Sequence, residues 1–139
     1  MSFLLDTDIV SAYNKRTLPP KLRAWLSVNE GDSFISIVSI AEMRFGLPGV
    51  KEADHAELAE RLAQTEILFL ESLEGLDVDT LTRWKRLLSE LKRANRTMTC
   101  EDSLIAATAI RHGHTVATNN ERHFAPARDF GLKVINPLA

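Results

Sequence analysis

Phe3-Leu4-Leu5-Asp6-Thr7-Asp8-Ile9-Val10 sets a carboxylate directly against a core-forming run. Phe3–Leu5 reads as a short buried strand, and the residues from Ile9 as a brief helix. An ionised Asp6 at that junction is costly unless something positive compensates it. The same juxtaposition occurs twice more. Glu42 interrupts Ile37-Val38-Ser39-Ile40-Ala41, and Asp102 opens Ser103-Leu104-Ile105-Ala106-Ala107. If the fold gathers the three acids, their repulsion raises the cost, and a divalent metal ion is the simplest compensator. Asp6, Glu42 and Asp102 are therefore candidate ligands for Mg²⁺ or Mn²⁺ in an enzyme acting on phosphate esters.

Working outward, Pro20 suits the first position of a second helix through Trp25 and Leu26. Gly31-Asp32 is a turn and Ser33-Phe34-Ile35-Ser36 a second strand. A third helix carries Glu42 and ends near the breaker Gly46-Leu47-Pro48-Gly49. Helical periodicity runs from Ala53 to Gln64, and Ile67-Leu68-Phe69-Leu70 reads as a third strand. Asp79 fits the N-cap of a helix through Leu91, and Thr99 that of an apolar, buried helix closed by Gly113. Thr115-Val116-Ala117-Thr118 and Leu132-Lys133-Val134-Ile135 read as late strands. Strands alternating with helices imply an α/β fold, a central parallel sheet sandwiched by helices. In such sheets sites form beyond the carboxyl ends of the strands, which is where Asp6 and Thr118-Asn119-Asn120 fall.

The chain has 139 residues, enough for one domain over residues 1–139 with one good core. No apolar run reaches a membrane span, and the N-terminus lacks a signal-peptide pattern. The single cysteine, Cys100, fits a reducing cytoplasm and reads as a small buried filler. The formal net charge of −2 does not suggest nucleic-acid binding, but its distribution is uneven. Acids dominate Glu52 to Asp79; Arg83, Lys85, Arg86, Lys92, Arg93 and Arg96 then form a basic run. Beside an acidic metal site, that run could hold a phosphate backbone; it equally fits a solvated helix face.

Phosphodiester hydrolysis requires charge neutralised on the phosphoryl oxygens and an activated water, and metal ions supply both. Thr7 can orient a water or a carboxylate. Asn120, and alternatively Asn119, can hold a water by neutral hydrogen bonds. Each residue also has a plainer reading. Asp6 or Asp8 can cap the first helix. Glu42 can pair with Arg44, and Asp102 gains from a helix N-terminus. Asn119-Asn120 is an ordinary turn pair. His112, His114 and His123 match no zinc spacing.

Taken together, these segments resemble a known family. Leu4-Leu5-Asp6-Thr7-Asp8-Ile9-Val10 looks like the opening motif of PIN domains, and Ile40-Ala41-Glu42-Met43-Arg44-Phe45-Gly46 their helical glutamate motif. Glu101-Asp102-Ser103-Leu104-Ile105-Ala106-Ala107-Thr108-Ala109 looks like the third acidic motif. Thr118-Asn119-Asn120-Glu121-Arg122-His123-Phe124 resembles the fourth, and Gly131-Leu132-Lys133-Val134-Ile135-Asn136-Pro137 the closing strand. Size and flanking residues are similar to VapC-type toxins of type II toxin–antitoxin modules. That resemblance implies a Mg²⁺-dependent endoribonuclease toxin, usually a homodimer, held inactive by a VapB-type antitoxin. It implies an RNA substrate, often the initiator tRNA, and metal-ligand roles for Asp6, Glu42 and Asp102. Many members carry Asp where this chain has Asn120, and others carry Asp-Phe where it has His123-Phe124.

Two other readings compete. Asp6-Thr7-Asp8 after a strand also fits the opening of a haloacid-dehalogenase-type phosphatase, although Thr118-Asn119-Asn120 lacks the late acidic pair such enzymes need. The other is a PIN-like module that binds RNA or a partner and cuts nothing.

Overall fold

β1 (Phe3–Leu5) is buried along its whole length and pairs in parallel on both sides. In the computed structural model, which describes residues 1–13, 18–46 and 51–139, it is the centre of the molecule. The elements that follow are α1 (Thr7–Ala12), α2 (Pro20–Asn29), β2 (Ser33–Ser36), α3 (Ile37–Gly46), α4 (Glu52–Leu68) and β3 (Leu73–Glu74). Then come α5 (Val78–Arg93), α6 (Cys100–His112), β4 (Thr115–Ala117), α7 (Glu121–Phe124) and β5 (Lys133–Ile135). The strand order is β3-β2-β1-β4-β5, all neighbours parallel, with Leu4 opposite both Phe34 and Val116.

Side chains alternate across β1 and so feed two apolar layers. Leu4 joins Val116 and Val134 against Leu87 and Leu91 of α5 and Ile105, Ala106 and Ala109 of α6. Phe3 and Leu5 join Ile35 and Ala117 against Ile9 and Val10 of α1, Leu22 and Leu26 of α2 and Ile40 of α3. The small residues of α6 let that helix lie close on the sheet. Thr99 caps it by accepting the Asp102 N–H at 3.1 Å, and Gly113 closes it at φ 73°, where other L-residues are strained.

Three local expectations need correcting. Ile67-Leu68-Phe69-Leu70 is not a strand. It finishes α4 and enters a short 3₁₀ turn, Leu70–Ser72, with the third strand lying at Leu73–Glu74. Only Phe69 of that run is buried, whereas Ile67 is 72% exposed, so an apolar run did not mark a buried segment. Asp77, not Asp79, caps α5, accepting the Thr80 N–H at 2.8 Å. Cys100 is exposed at the first turn of α6, because that turn lies at the rim rather than in the layer. The basic run is also divided. Arg83 bonds Glu90 and the Phe130 carbonyl, and Arg96 bonds Asp129 and the Pro126 carbonyl, bracing the segment after α7. Lys85, Arg86, Lys92 and Arg93 stay exposed on α5. Leu47-Pro48-Gly49 lies outside the described residues. Among the described residues, no helix is long and apolar enough to cross a membrane.

Candidate metal centre

Asp6 leaves the carboxyl end of β1 and becomes the N-cap of α1, with its Oδ1 accepting the Thr7 N–H at 2.8 Å. Its backbone N–H still bonds the Ala117 carbonyl at 2.9 Å, which fixes it against the end of β4. The cap reading of Asp6 is thus met, yet it does not account for the burial. Asp6 is only 6% exposed, and Thr118, fully buried after β4, donates its hydroxyl to Oδ2 at 2.8 Å. Burial, then the charge of Asp8, push the Asp6 carboxyl up to about 7; the bonds from Thr118 and Thr7 pull the other way. Asp8 is also within hydrogen-bonding reach of Asp6.

Glu42 enters from α3. Its Oε1 accepts the Thr7 hydroxyl at 2.9 Å, and the same hydroxyl lies 2.9 Å from Ser39 Oγ. Thr7 therefore orients a carboxylate, and Glu42 is not paired with Arg44, which bonds Glu66 of α4 instead. Burial raises the Glu42 carboxyl above its ordinary range, and Glu101 and Asp102 add to the rise. Asp102, in the first turn of α6, is likewise raised by burial, with Asp8 and Glu101 adding; the Thr99 bond and His123 offset part of this. Asp6, Asp8, Asp102 and Glu42 thus feel one another's charge in a chain. The fold links the three widely spaced acids in sequence, Asp6 through Asp8 to Asp102 and on to Glu42, with Glu101 acting on Glu42 and Asp102.

The loop after β4 completes the arrangement. Asn119 donates its backbone N–H to Asp8 Oδ2 at 2.9 Å, and Asn120 donates Nδ2 to the same oxygen at 3.1 Å. The Asn119 side chain accepts from Asn136 at 3.3 Å instead. His123 Nδ1 stands 3.7 Å from Asp102 Oδ2, at a recess of about 420 Å³ lined by Thr97, Met98, Thr99, Asp102, Arg122, His123 and Pro126. His112 and His114 are elsewhere, both facing Glu74 at 2.9 and 3.2 Å, so the three histidines do not converge. The sequence does not single out Asp8 or Ser39 as site residues, and it marks Thr118 only as part of the stretch Thr118-Asn119-Asn120. Asp8 alone carried a signal, as a second acid two positions after Asp6; Ser39 and Thr118 are ordinary small polar residues until the fold buries them.

Among the described residues, no three His, Cys, Asp or Glu side chains already stand as a formed ligand set. The carboxylates are turned toward internal donors: Asp6 to Thr118, Asp8 to Asn119 and Asn120, Glu42 to Thr7. The donor set nevertheless fits a hard divalent cation. It is all oxygen, it is partly buried, and Asp8 Oδ1 is shut off from solvent with no hydrogen-bond partner.

Comparison with known proteins gives the family of the fold. The PIN domain model matches residues 3–129. The chain is 29% identical over 139 residues to "VapC ribonuclease Y4jK" of Sinorhizobium fredii, covering 96% of each. It is 29% identical over 126 residues to "tRNA(fMet)-specific endonuclease VapC" of Shigella flexneri, covering 89% of this chain and 90% of that one. Among solved structures, FitAcB from Neisseria gonorrhoeae superposes with a TM-score of 0.86 at 29% identity, covering 98% of each chain.

Proposed function

The chain belongs to the PIN-domain family, and from that premise we propose that it is a Mg²⁺-dependent (or Mn²⁺-dependent) endoribonuclease toxin. Its substrate is RNA, with tRNA the preferred class, and it acts in the cytoplasm as a homodimer restrained by a VapB-type antitoxin. One PIN domain spans residues 1–139. The haloacid-dehalogenase reading falls away with the family match. The observation that carries the proposal is a linked row of acids: Thr7 bonds both Asp6 and Glu42, the charge of Asp8 acts on Asp6 and on Asp102, and that of Asp102 acts on Glu42.

Asp6, Glu42 and Asp102 would hold the ion. When bound, Mg²⁺ neutralises charge on the phosphoryl oxygens and makes a water a competent nucleophile for in-line attack. The protein's own residues prepare for this. Thr118 and the Thr7 N–H fix both oxygens of Asp6, and the Thr7 hydroxyl fixes Glu42. Asn120 would support this site through the hydrogen bond its side-chain amide donates to Asp8. His123 lies close enough to Asp102 to act at the rim.

The antitoxin would use the surface next to these acids. Val38, Ala41 and Phe45 line a recess with Glu42 and Glu101, and Phe45 is 87% exposed. Apolar contact there, joined to an arginine bonded to a carboxylate, suits a peptide that blocks the site. Purified protein incubated with total RNA in Mg²⁺, in EDTA, and as Asp102→Asn tests the proposal. Discrete cuts should form only with wild type in Mg²⁺. Intact RNA throughout would favour the non-cutting binding module.

A further inference from the structure

Asp8 is clamped on one side and unmet on the other. Its Oδ2 takes the Asn119 N–H at 2.9 Å and the Asn120 amide at 3.1 Å, with the Thr118 hydroxyl at 3.5 Å. Its Oδ1 is cut off from solvent with no N–H or hydroxyl donating to it, and the Asp6 carboxyl within reach has a proton to offer only below about pH 7. Among the described residues one other buried side-chain atom shares that condition, Thr80 Oγ1, and it belongs to a neutral hydroxyl. A carboxylate oxygen held out of water with no donor is far less tolerable, unless a cation supplies what the protein withholds. Asp8 lies where such a cation is needed, since its charge is felt by both Asp6 and Asp102.

We propose that Asp8 is the fourth carboxylate of the metal centre and that Asn120 is its positioning residue rather than a ligand. The inference rests on the reading of this site as a divalent-cation centre. Asn120 is neutral, and its amide is spent holding Asp8. The clamp fixes the orientation of the carboxylate. A hard cation also prefers an anionic oxygen to an amide. The chain thus carries its fourth charge on α1, with the amide facing it from the loop after β4.

Mn²⁺ titration calorimetry, paired with thermal melting in EDTA, tests this on wild type, Asp6→Asn, Asp8→Asn, Asp8→Ser and the double variant Asp8→Asn/Asn120→Asp. Asn at position 8 keeps an acceptor for both clamping donors and puts an NH₂ at the unmet position. Asp8→Asn should therefore melt no lower than wild type in EDTA. Its Mn²⁺ affinity should fall at least tenfold, and Asp8→Ser should lose affinity likewise. The double variant exchanges amide and carboxylate across one hydrogen bond and should recover most of the affinity. If both single variants at position 8 bind within threefold of wild type while Asp6→Asn does not, the site stands and the role of Asp8 is refuted. If Asp6→Asn also binds like wild type, the metal reading itself fails. Lower melting with affinity lost in the single and double variants alike would make Asp8 structural and overturn the proposal.

Discussion

Replacing Asp6 by Asn should make the metal-free protein more stable at alkaline pH while removing its chemistry. Burial holds the Asp6 carboxyl at about 7, against an ordinary 3.8. Below pH 4 the group is protonated whether the chain is folded or unfolded. Between pH 4 and 7 the unfolded chain releases that proton and the folded one keeps it, so the stability Asp6 contributes at low pH is lost as pH rises through 7. The rise corresponds to a ceiling of ~4 kcal/mol. Asn mimics the protonated carboxyl: its oxygen still accepts the Thr7 N–H, and its NH₂ can donate to Thr118 Oγ1. Wild type and Asp6→Asn should therefore differ by only ~1 kcal/mol near pH 4.5 in EDTA. At pH 8 the variant should be ahead by up to ~4 kcal/mol, a shift on the order of 10 °C. Urea or thermal unfolding across pH 4.5–8.5 measures this. A variant less stable at pH 8, or a difference that does not change with pH, would refute the reasoning.

Other consequences follow from the same contacts. Thr118→Val removes the buried donor to Asp6 and should cost ~1–3 kcal/mol at pH 8 in EDTA; an unchanged urea midpoint would show that the 2.8 Å bond carries no weight. Because Asp6 binds a proton up to about pH 7, a metal ion must displace it below that pH. Mn²⁺ affinity should weaken from pH 7.5 to 5.5 with proton release seen by calorimetry in buffers of different ionisation heat, and a flat profile would contradict this. If a VapB-type partner blocks the site with an arginine, changing that arginine to Ala should restore partial RNA cleavage without dissociating the complex. Full inhibition by every such variant would place the block elsewhere, such as the exposed basic face of α5.

Much of the sheet could be read from short apolar runs because its central strands are buried on both faces. Phe3–Leu5 and Thr115–Ala117 are continuous hydrophobic or small runs for that reason. The third strand could not, since two residues, Leu73 and Glu74, at a sheet edge have no pattern to read. The run at Ile67–Leu70 offered a stronger signal in the wrong place. Within the site, Asp6, Glu42 and Asp102 stood out as charges among apolar neighbours, a mismatch that sequence displays directly. Thr118 and Ser39 did not, because a hydroxyl's role is set only by which carboxylate the fold puts beside it. Asp8 was visible but ambiguous. A helix-capping acid and a metal-facing acid look alike in sequence, and they separate only when one carboxylate oxygen is found clamped and the other unmet.

The central claim is that the acids around Asp6 serve to activate water against a phosphodiester. The chemistry of the cut ends tests it most directly. RNA cleaved by the purified protein in Mg²⁺ and ¹⁸O-labelled water should carry solvent oxygen in a linear terminal phosphate. A 2′-deoxy substitution at the cut site should leave cleavage intact, and EDTA or Asp6→Asn should stop it. Products ending in 2′,3′-cyclic phosphate, formed equally well in EDTA, would mean that the ribose hydroxyl attacks without a metal and would contradict the account.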